Sequence, residues 1–302
     1  MNTNYHIPVL YNEVLDALQI KPNGIYVDAT FGGGGHSRGI LEHLESDGRL
    51  IAFDQDPDAA KNIPEGENRL LFVPHNFKHL QRFLKLYKIE KVDGVLADLG
   101  VSSHQFDEGT RGFSTRFDGP LDMRMDTNQP KTAKHVIETY SQKDLQIMFQ
   151  EFGQVTNSKT LAEYIVKQRT KSKLQTINDF KILISSLVKG NPNKYLAQVF
   201  QAIRMEVNDE LGVLKDLLLQ LPKVLKQGGI AAIITFHSGE DRLVKNFFKQ
   251  GEFDVDDENP FAIGSKEKVF KVLSKKPIEA NELELKANPR SRSAKLRVAE
   301  KL

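Results

Sequence analysis

Short, largely apolar runs that each end in an acid recur along the first third of the chain: residues 25–27 lead into Asp28, 50–53 into Asp54 and 92–97 into Asp98. Runs of this length, bounded by turn formers, predict strands buried on both faces, as in a parallel sheet. Residues 70–73 add another, and strand and helix patterns alternate to about residue 98. A helix over 207–225, a double glycine at Gly228 and Gly229, and a strand over 230–236 predict the next unit of the same sheet. Strands over 268–273 and 295–299 flank a polar segment holding Pro277 and Pro289, as a terminal hairpin with a long loop would. Between residues 110 and 200 the periodicity is mainly helical, at 145–152, 159–169 and 178–187. The chain therefore reads as a discontinuous α/β domain over 1–109 and 201–302, interrupted by an inserted helical subdomain over 110–200.

The first acid opens onto four glycines, in the run DATFGGGGHS at 28–37. Such a turn lets backbone amides approach a ligand with no Cβ in the way. A phosphate-binding P-loop would close on Gly-Lys-Ser/Thr, but Gly35 is followed by His36 and Ser37. The dinucleotide spacing fails too, since counting from Gly32 or Gly33 places Ser37 or Arg38 where a third glycine belongs. A tight turn with no ligand stays open on the glycines alone. The second acid weighs against it, because an acid ending the second strand of a doubly wound sheet sits where ribose hydroxyls arrive. Asp28, Asp54 and Asp98 fall at one sheet edge, which points to a nucleoside-containing cofactor.

Composition restricts the chemistry. The 302 residues include no cysteine, which removes disulfides, cysteine-ligated metals and thiolate nucleophiles together. No run is long enough for a membrane span and the polar start lacks a leader pattern, so cytoplasmic residence without a membrane partner is expected. The net charge of +2 hides an uneven distribution. Residues 1–109 carry 10 Lys/Arg against 16 Asp/Glu, 110–200 carry 14 against 8, and 201–302 carry 18 against 16. A basic middle suits a polyanion, with a merely solvated basic surface as the alternative.

An open sheet closed by a terminal hairpin resembles the seven-stranded, Rossmann-like S-adenosylmethionine-dependent methyltransferase fold more than a dehydrogenase. Eight ordered motifs extend the likeness over essentially the whole chain: HIPVL at 6–10, DATFGGGGHS at 28–37, DLGVSSHQFD at 98–107, RGFS at 111–114, GPLDMRMD at 119–126, NDELGVL at 208–214, FHSGEDR at 236–242 and PRSRSAKLR at 289–297. Together they resemble the bacterial small-subunit ribosomal RNA cytosine-N4 methyltransferases of the MraW type. Gly239 departs from that pattern, where a bulkier apolar residue is expected. The resemblance implies S-adenosylmethionine as cofactor, and as substrate a cytidine in the decoding region of 16S ribosomal RNA within an assembled small subunit; it allows a homodimer. It implies cofactor contacts at Gly34, Gly35, His36, Asp54 and Phe77, with Asp98 and Gln105 near the methionine end and the target base. Taken singly, His36 also suits a helix start and Phe77 a core position.

Cytosine's exocyclic nitrogen is a weak nucleophile, because its lone pair is delocalised into the ring. Positioning therefore carries most of the expected catalysis, helped by a hydrogen bond from N4–H to Asp98 or a nearby carbonyl. Asp-Leu-Gly-Val stands where related amine methyltransferases keep Asp-Pro-Pro-Tyr, so no aromatic from that motif stacks on the base. The proton goes to Asp98 or to water. His237 is the candidate for touching the base, while Ser238 with Asp241 fits a capping box for a helix over 240–250. Arg290 and Arg292, with Lys295 and Arg297, form a basic segment suited to phosphates. Asp122, Arg124 and Asp126 fit a salt-bridged turn or a substrate lip equally. A nicotinamide oxidoreductase would explain the sheet and its acids but not the missing fingerprint. A catalytically silent RNA-binding assembly factor would leave the glycine turn and three acids without a task.

Overall fold

A computed structural model describes residues 8–253 and 267–302; His6 and Ile7 of the HIPVL motif lie outside them. The strands are β1 Ile25–Asp28, β2 Arg49–Phe53, β3 Leu70–Val73, β4 Val92–Asp98, β5 Leu225–Thr235, β6 Phe270–Val272 and β7 Lys295–Lys301. The α-helices are α1 Tyr11–Leu18, α2 Gly35–His43, α3 Leu80–Leu86, α4 Ser103–Asp107, α5 Ala133–Thr139, α6 Gln142–Glu151, α7 Ser158–Gln168, α8 Ile177–Ile184, α9 Pro192–Asn208, α10 Glu210–Val224, α11 Ser238–Gln250 and α12 Glu282–Ala287. Among the described residues, no helix is long and apolar enough to cross a membrane.

The strands form one seven-stranded sheet in the order β3-β2-β1-β4-β5-β7-β6. The first five are parallel, and β7 runs antiparallel to both its neighbours, so the expected terminal hairpin is present. Alternate residues of each strand serve opposite faces, as the period of two requires. Val27, Ile51, Val95 and Ile233 pack with α10 and α11 through Leu217, Leu221, Val244 and Phe247. Tyr26, Leu50, Leu96 and Ile234 pack on the other face with α1 and α2 through Val14, Leu18 and Ile40. Burial on both faces is why these strands read as nearly continuous apolar runs.

Two expected boundaries move. The helix read over 207–225 is two helices, because Asp209 adopts a left-handed φ of 49° between α9 and α10. Buried Asn208 fixes this break, donating to the carbonyls of Met123 and Arg204 and accepting the Met125 amide. The double glycine is not a turn ahead of the strand either. Leu225 already pairs with Val92, and Gly228, at φ 75°, lies within β5 beside a register shift, the signature of a bulge.

The chain forms two compact units, Met1–Gly100 with Leu211–Leu302, and Val101–Glu210. The second has its own core, built from one face of each helix: Val136 and Ile137 of α5, Leu145 and Phe149 of α6, Leu161 and Ile165 of α7, Phe180 of α8, and Val199 and Ile203 of α9. It is wider than the 110–200 read from the sequence, since Ala202, Ile203 and Val207 also join that core and Val101 packs against it. The wider limits change the charge argument. Residues 101–210 carry 15 Lys/Arg against 13 Asp/Glu, so the unit as a whole is only slightly basic.

Arg297, expected to face phosphates, instead lies inside the first unit. It is 6 % exposed and grips Asp241 of α11 with two hydrogen bonds of 2.8 and 3.1 Å. Removing one member of a buried ion pair strands the other charge. Arg297→Ala should therefore lower unfolding stability by roughly 3 kcal/mol, measured by urea denaturation; unchanged stability would show that Asp241 is readily resolvated.

Candidate functional site

Strand order reverses between β1 and β4, the place where open α/β sheets bind ligands beyond the carboxyl ends of their strands. Asp28 ends β1 and is 1 % exposed. Its Oδ2 accepts the Ser37 hydroxyl at 2.7 Å and its Oδ1 the Thr30 amide at 3.0 Å. Burial raises its pKa against the pull of these donors. The Thr30 hydroxyl in turn accepts the Asp98 amide at 2.7 Å, which ties the loop after β1 to the end of β4.

The glycine turn is held from the neighbouring strand. Gly32 donates its amide to Asp54 Oδ2 at 2.7 Å, and Asp56 donates to Oδ1 at 2.8 Å. Burial outweighs these two amides and pushes the Asp54 carboxyl up to about 6. Each oxygen has a further lone pair, so Asp54 can still accept hydroxyls. Gly34 caps α2 at a left-handed φ of 71°, and a Cβ on Gly35 would stand 2.3 Å from Pro8 Cγ. At Gly33, by contrast, a Cβ would meet nothing within 4 Å, so the turn forms an open cradle.

Asp98 closes β4. Its Oδ1 is buried without a hydrogen-bond partner, and its Oδ2 lies 3.8 Å from His36 Nδ1. Desolvation, joined by the negative charges of Asp28 and Glu240, pushes the Asp98 carboxyl up to about 8. A quarter of its side-chain surface nevertheless remains exposed (26 %). His36 is itself buried, which lowers its pKa. Its Nε2 lies 3.0 Å from the Val9 carbonyl and its ring stacks on Tyr11. A neutral ring donating from Nε2 to that carbonyl turns the Nδ1 lone pair toward Asp98.

Phe77 follows β3 in a single 3-10 turn capped by Asn76, half-buried against the core of the first unit. Asn76 donates to Gln55 at 2.7 Å, joining this turn to the loop after Asp54. Gln105 has a local task in the second unit: it is the N3 residue of the capping box that begins α4, accepting the Ser102 amide at 3.0 Å. Arg124 grips Asp122 with two hydrogen bonds and donates to the carbonyls of Thr127 and Gln129, so this segment forms a salt-bridged turn.

The expected capping box of Ser238 and Asp241 is not the one formed. His237 is the N-cap of α11, its Nδ1 accepting the Glu240 amide at 3.3 Å, while Glu240 accepts the Phe236 amide at 2.9 Å. Asp241 is turned to Arg297 instead. Gly239 lies in the first turn of α11, where a Cβ would stand 3.1 Å from His237 Nδ1; a larger residue there would press on the ring. Arg290 and Arg292 lie in the 3-10 turn Pro289–Ser293 that precedes β7, half-buried and exposed respectively. Because β7 is antiparallel, Lys295 pairs with Thr235, and the turn reaches the edge where β5 ends. Sequence reasoning missed Thr30, Ser37 and Glu240. Of these only Glu240 had a local signal, its place three residues after the cap.

The model of the MraW methylase family matches residues 3–302. The Ribosomal RNA small subunit methyltransferase H of Parabacteroides distasonis is 49 % identical over 300 residues, covering 99 % of this chain and 98 % of that protein. Its namesake from Phocaeicola vulgatus is 50 % identical over 298 residues, covering 98 % and 97 %. That of Cytophaga hutchinsonii is 49 % identical over 300 residues, covering 98 % and 99 %.

The raised pKa of Asp98 has a sign that equilibrium unfolding can read. The folded chain keeps this proton up to about pH 8, whereas an unfolded aspartate loses it near 4. Stability associated with the group is therefore full at low pH and falls as pH rises between these limits. Asp98→Asn, neutral throughout, should match the parent chain near pH 4 and be increasingly more stable toward pH 8. A stability difference independent of pH would contradict the desolvated acid.

Proposed function

We propose that this chain, which belongs to the MraW methylase family, methylates N4 of a cytidine in the decoding region of small-subunit ribosomal RNA, acting on the assembled small subunit. S-adenosylmethionine is the cofactor. The names of the relatives support the RNA class, each being a ribosomal RNA small subunit methyltransferase. The observation that carries the reading is the unpartnered, desolvated carboxyl of Asp98 beside an open glycine cradle.

The fit to the cofactor is chemical. Asp54, with lone pairs to spare, holds the ribose hydroxyls, and the cradle at Gly34, Gly35 and His36 borders the remainder, with Phe77 beside the adenine. When bound, the cofactor supplies a methyl already activated by its sulfonium. Asp98 holds N4–H by a hydrogen bond, orients the nitrogen and takes the proton it loses. A carboxyl with a pKa near 8 suits that task, since a general base works best when its pKa lies near the operating pH. A chain without cysteine has no thiolate for the covalent adduct of carbon-5 methylation, which favours the exocyclic nitrogen. Arg290 and Arg292 serve RNA phosphates, as do the exposed Lys167, Lys171 and Lys173 of the second unit. Arg169 is not among them, because it donates to the carbonyls of Ile137 and Tyr140.

Two experiments check this reading. Incubation with labelled S-adenosylmethionine and small subunits lacking the modification, followed by mass spectrometry of the labelled nucleotide, should place the methyl on a cytidine N4; a methyl on carbon 5 would contradict it. Asp54→Ala removes an acceptor of two hydroxyls, a loss of roughly 1.5–3 kcal/mol. Calorimetry should accordingly find cofactor affinity weakened by about one to two decades, and an unchanged Kd would remove Asp54 from the site.

A further inference from the structure

Among the described residues, two buried side-chain polar atoms have no hydrogen-bond partner: Asp98 Oδ1 and His237 Nε2. Leaving a buried polar atom unpaired is costly, so native chains seldom keep one without use. These two belong to one sheet edge. Asp98 is in register with Ile234 of β5, the Leu99 amide donates to the Ile234 carbonyl at 3.0 Å, and His237 follows three residues later. A Cβ on Gly100 would stand 3.6 Å from the Phe236 ring, so the loops leaving β4 and β5 stay side by side.

Their hydrogen-bonding characters are opposite. His237 Nδ1 accepts the Glu240 amide and so carries no proton, which places the proton of the neutral ring on Nε2. Glu240 Oε1 is 3.3 Å from Nε2 but outside hydrogen-bonding direction, while its Oε2 is occupied by the Phe236 amide. The capping box thus fixes both tautomer and ring orientation, leaving one free donor near one free acceptor. Cytosine's Watson–Crick edge presents the complement, the N4–H donor beside the N3 acceptor. Uracil and guanine reverse that order; adenine shares it and must be excluded by size.

We propose that His237 reads the target base, donating its Nε2–H to cytosine N3 while Asp98 accepts N4–H. This inference rests on the reading of cytidine N4 as the methyl acceptor. In it, α11 does more than close the sheet: its N-cap residue sets base specificity, and Glu240 is the positioning residue behind it.

The test replaces the target cytidine with 3-deazacytidine, in which C–H takes the place of N3, in small subunits carrying a ligated synthetic RNA segment. His237→Asn keeps an acceptor for the Glu240 amide, since asparagine is a good N-cap, but loses the distal N–H; His237→Gln keeps a distal N–H. Wild-type enzyme should prefer cytidine by roughly tenfold in kcat/KM. His237→Asn should lose most of that preference, and His237→Gln should recover part of it, with cofactor affinity unchanged in both. Equal kcat/KM for the two bases in the wild type, or the same preference in wild type and His237→Asn, would overturn the proposal. The parent reading is scored separately on unsubstituted RNA. A methyl away from N4 there overturns both, whereas N4 methylation with an unaltered preference overturns this inference alone.

Discussion

The site is organised by one buried carboxylate. Asp28 lies inside the first unit with one oxygen on the Ser37 hydroxyl and the other on the Thr30 amide, and the Thr30 hydroxyl carries the link on to the Asp98 amide. Three pieces of chain, the first turn of α2, the loop after β1 and the end of β4, are thereby tied to one charge in a low-dielectric setting, where hydrogen bonds are stronger. The same charge makes ionisation of Asp98 harder, as does Glu240 from the side of α11. Support and activation therefore share an origin: the group that fixes where Asp98 stands also raises its affinity for a proton.

Much of this arrangement was legible in the sequence because a parallel sheet has strong rules. A strand buried on both faces must be apolar, and its carboxyl end must face the crevice, so Asp28, Asp54 and Asp98 could be placed at one edge from pattern alone. The glycine turn was legible for the same reason. What it accomplishes was less so, since the pressure of Pro8 on Gly35 and the openness around Gly33 depend on a segment far away in sequence.

The misplacements share a cause as well. Arg297 looked like a surface cation because its neighbours Arg290, Arg292 and Lys295 are basic, yet its partner Asp241 is 56 residues distant. Asp209 ends a helix in a left-handed conformation with no glycine to announce it, and buried Asn208 explains the break only through contacts with Met123 and Met125. Ser238 was the obvious cap by residue type, but the imidazole one position earlier took the role. For Arg297, Asp209 and Asp241, partners distant in sequence overrode a local preference. The basic middle segment met a different limit, as its charge is nearly balanced once the acids at 107, 108, 206, 209 and 210 are counted within the same unit.

The central claim is that Asp98 is a desolvated acid serving as the base for N4. It is tested most directly by kcat/KM for methyl transfer against pH, measured at subsaturating cofactor so that the free enzyme is reported. The rate should rise with unit slope and level off near pH 8, following the carboxyl of Asp98. In Asp98→Asn it should be at least about a hundredfold lower and lack that limb. A wild-type profile flat from pH 6 to 9, or the same limb persisting in Asp98→Asn, would contradict the account.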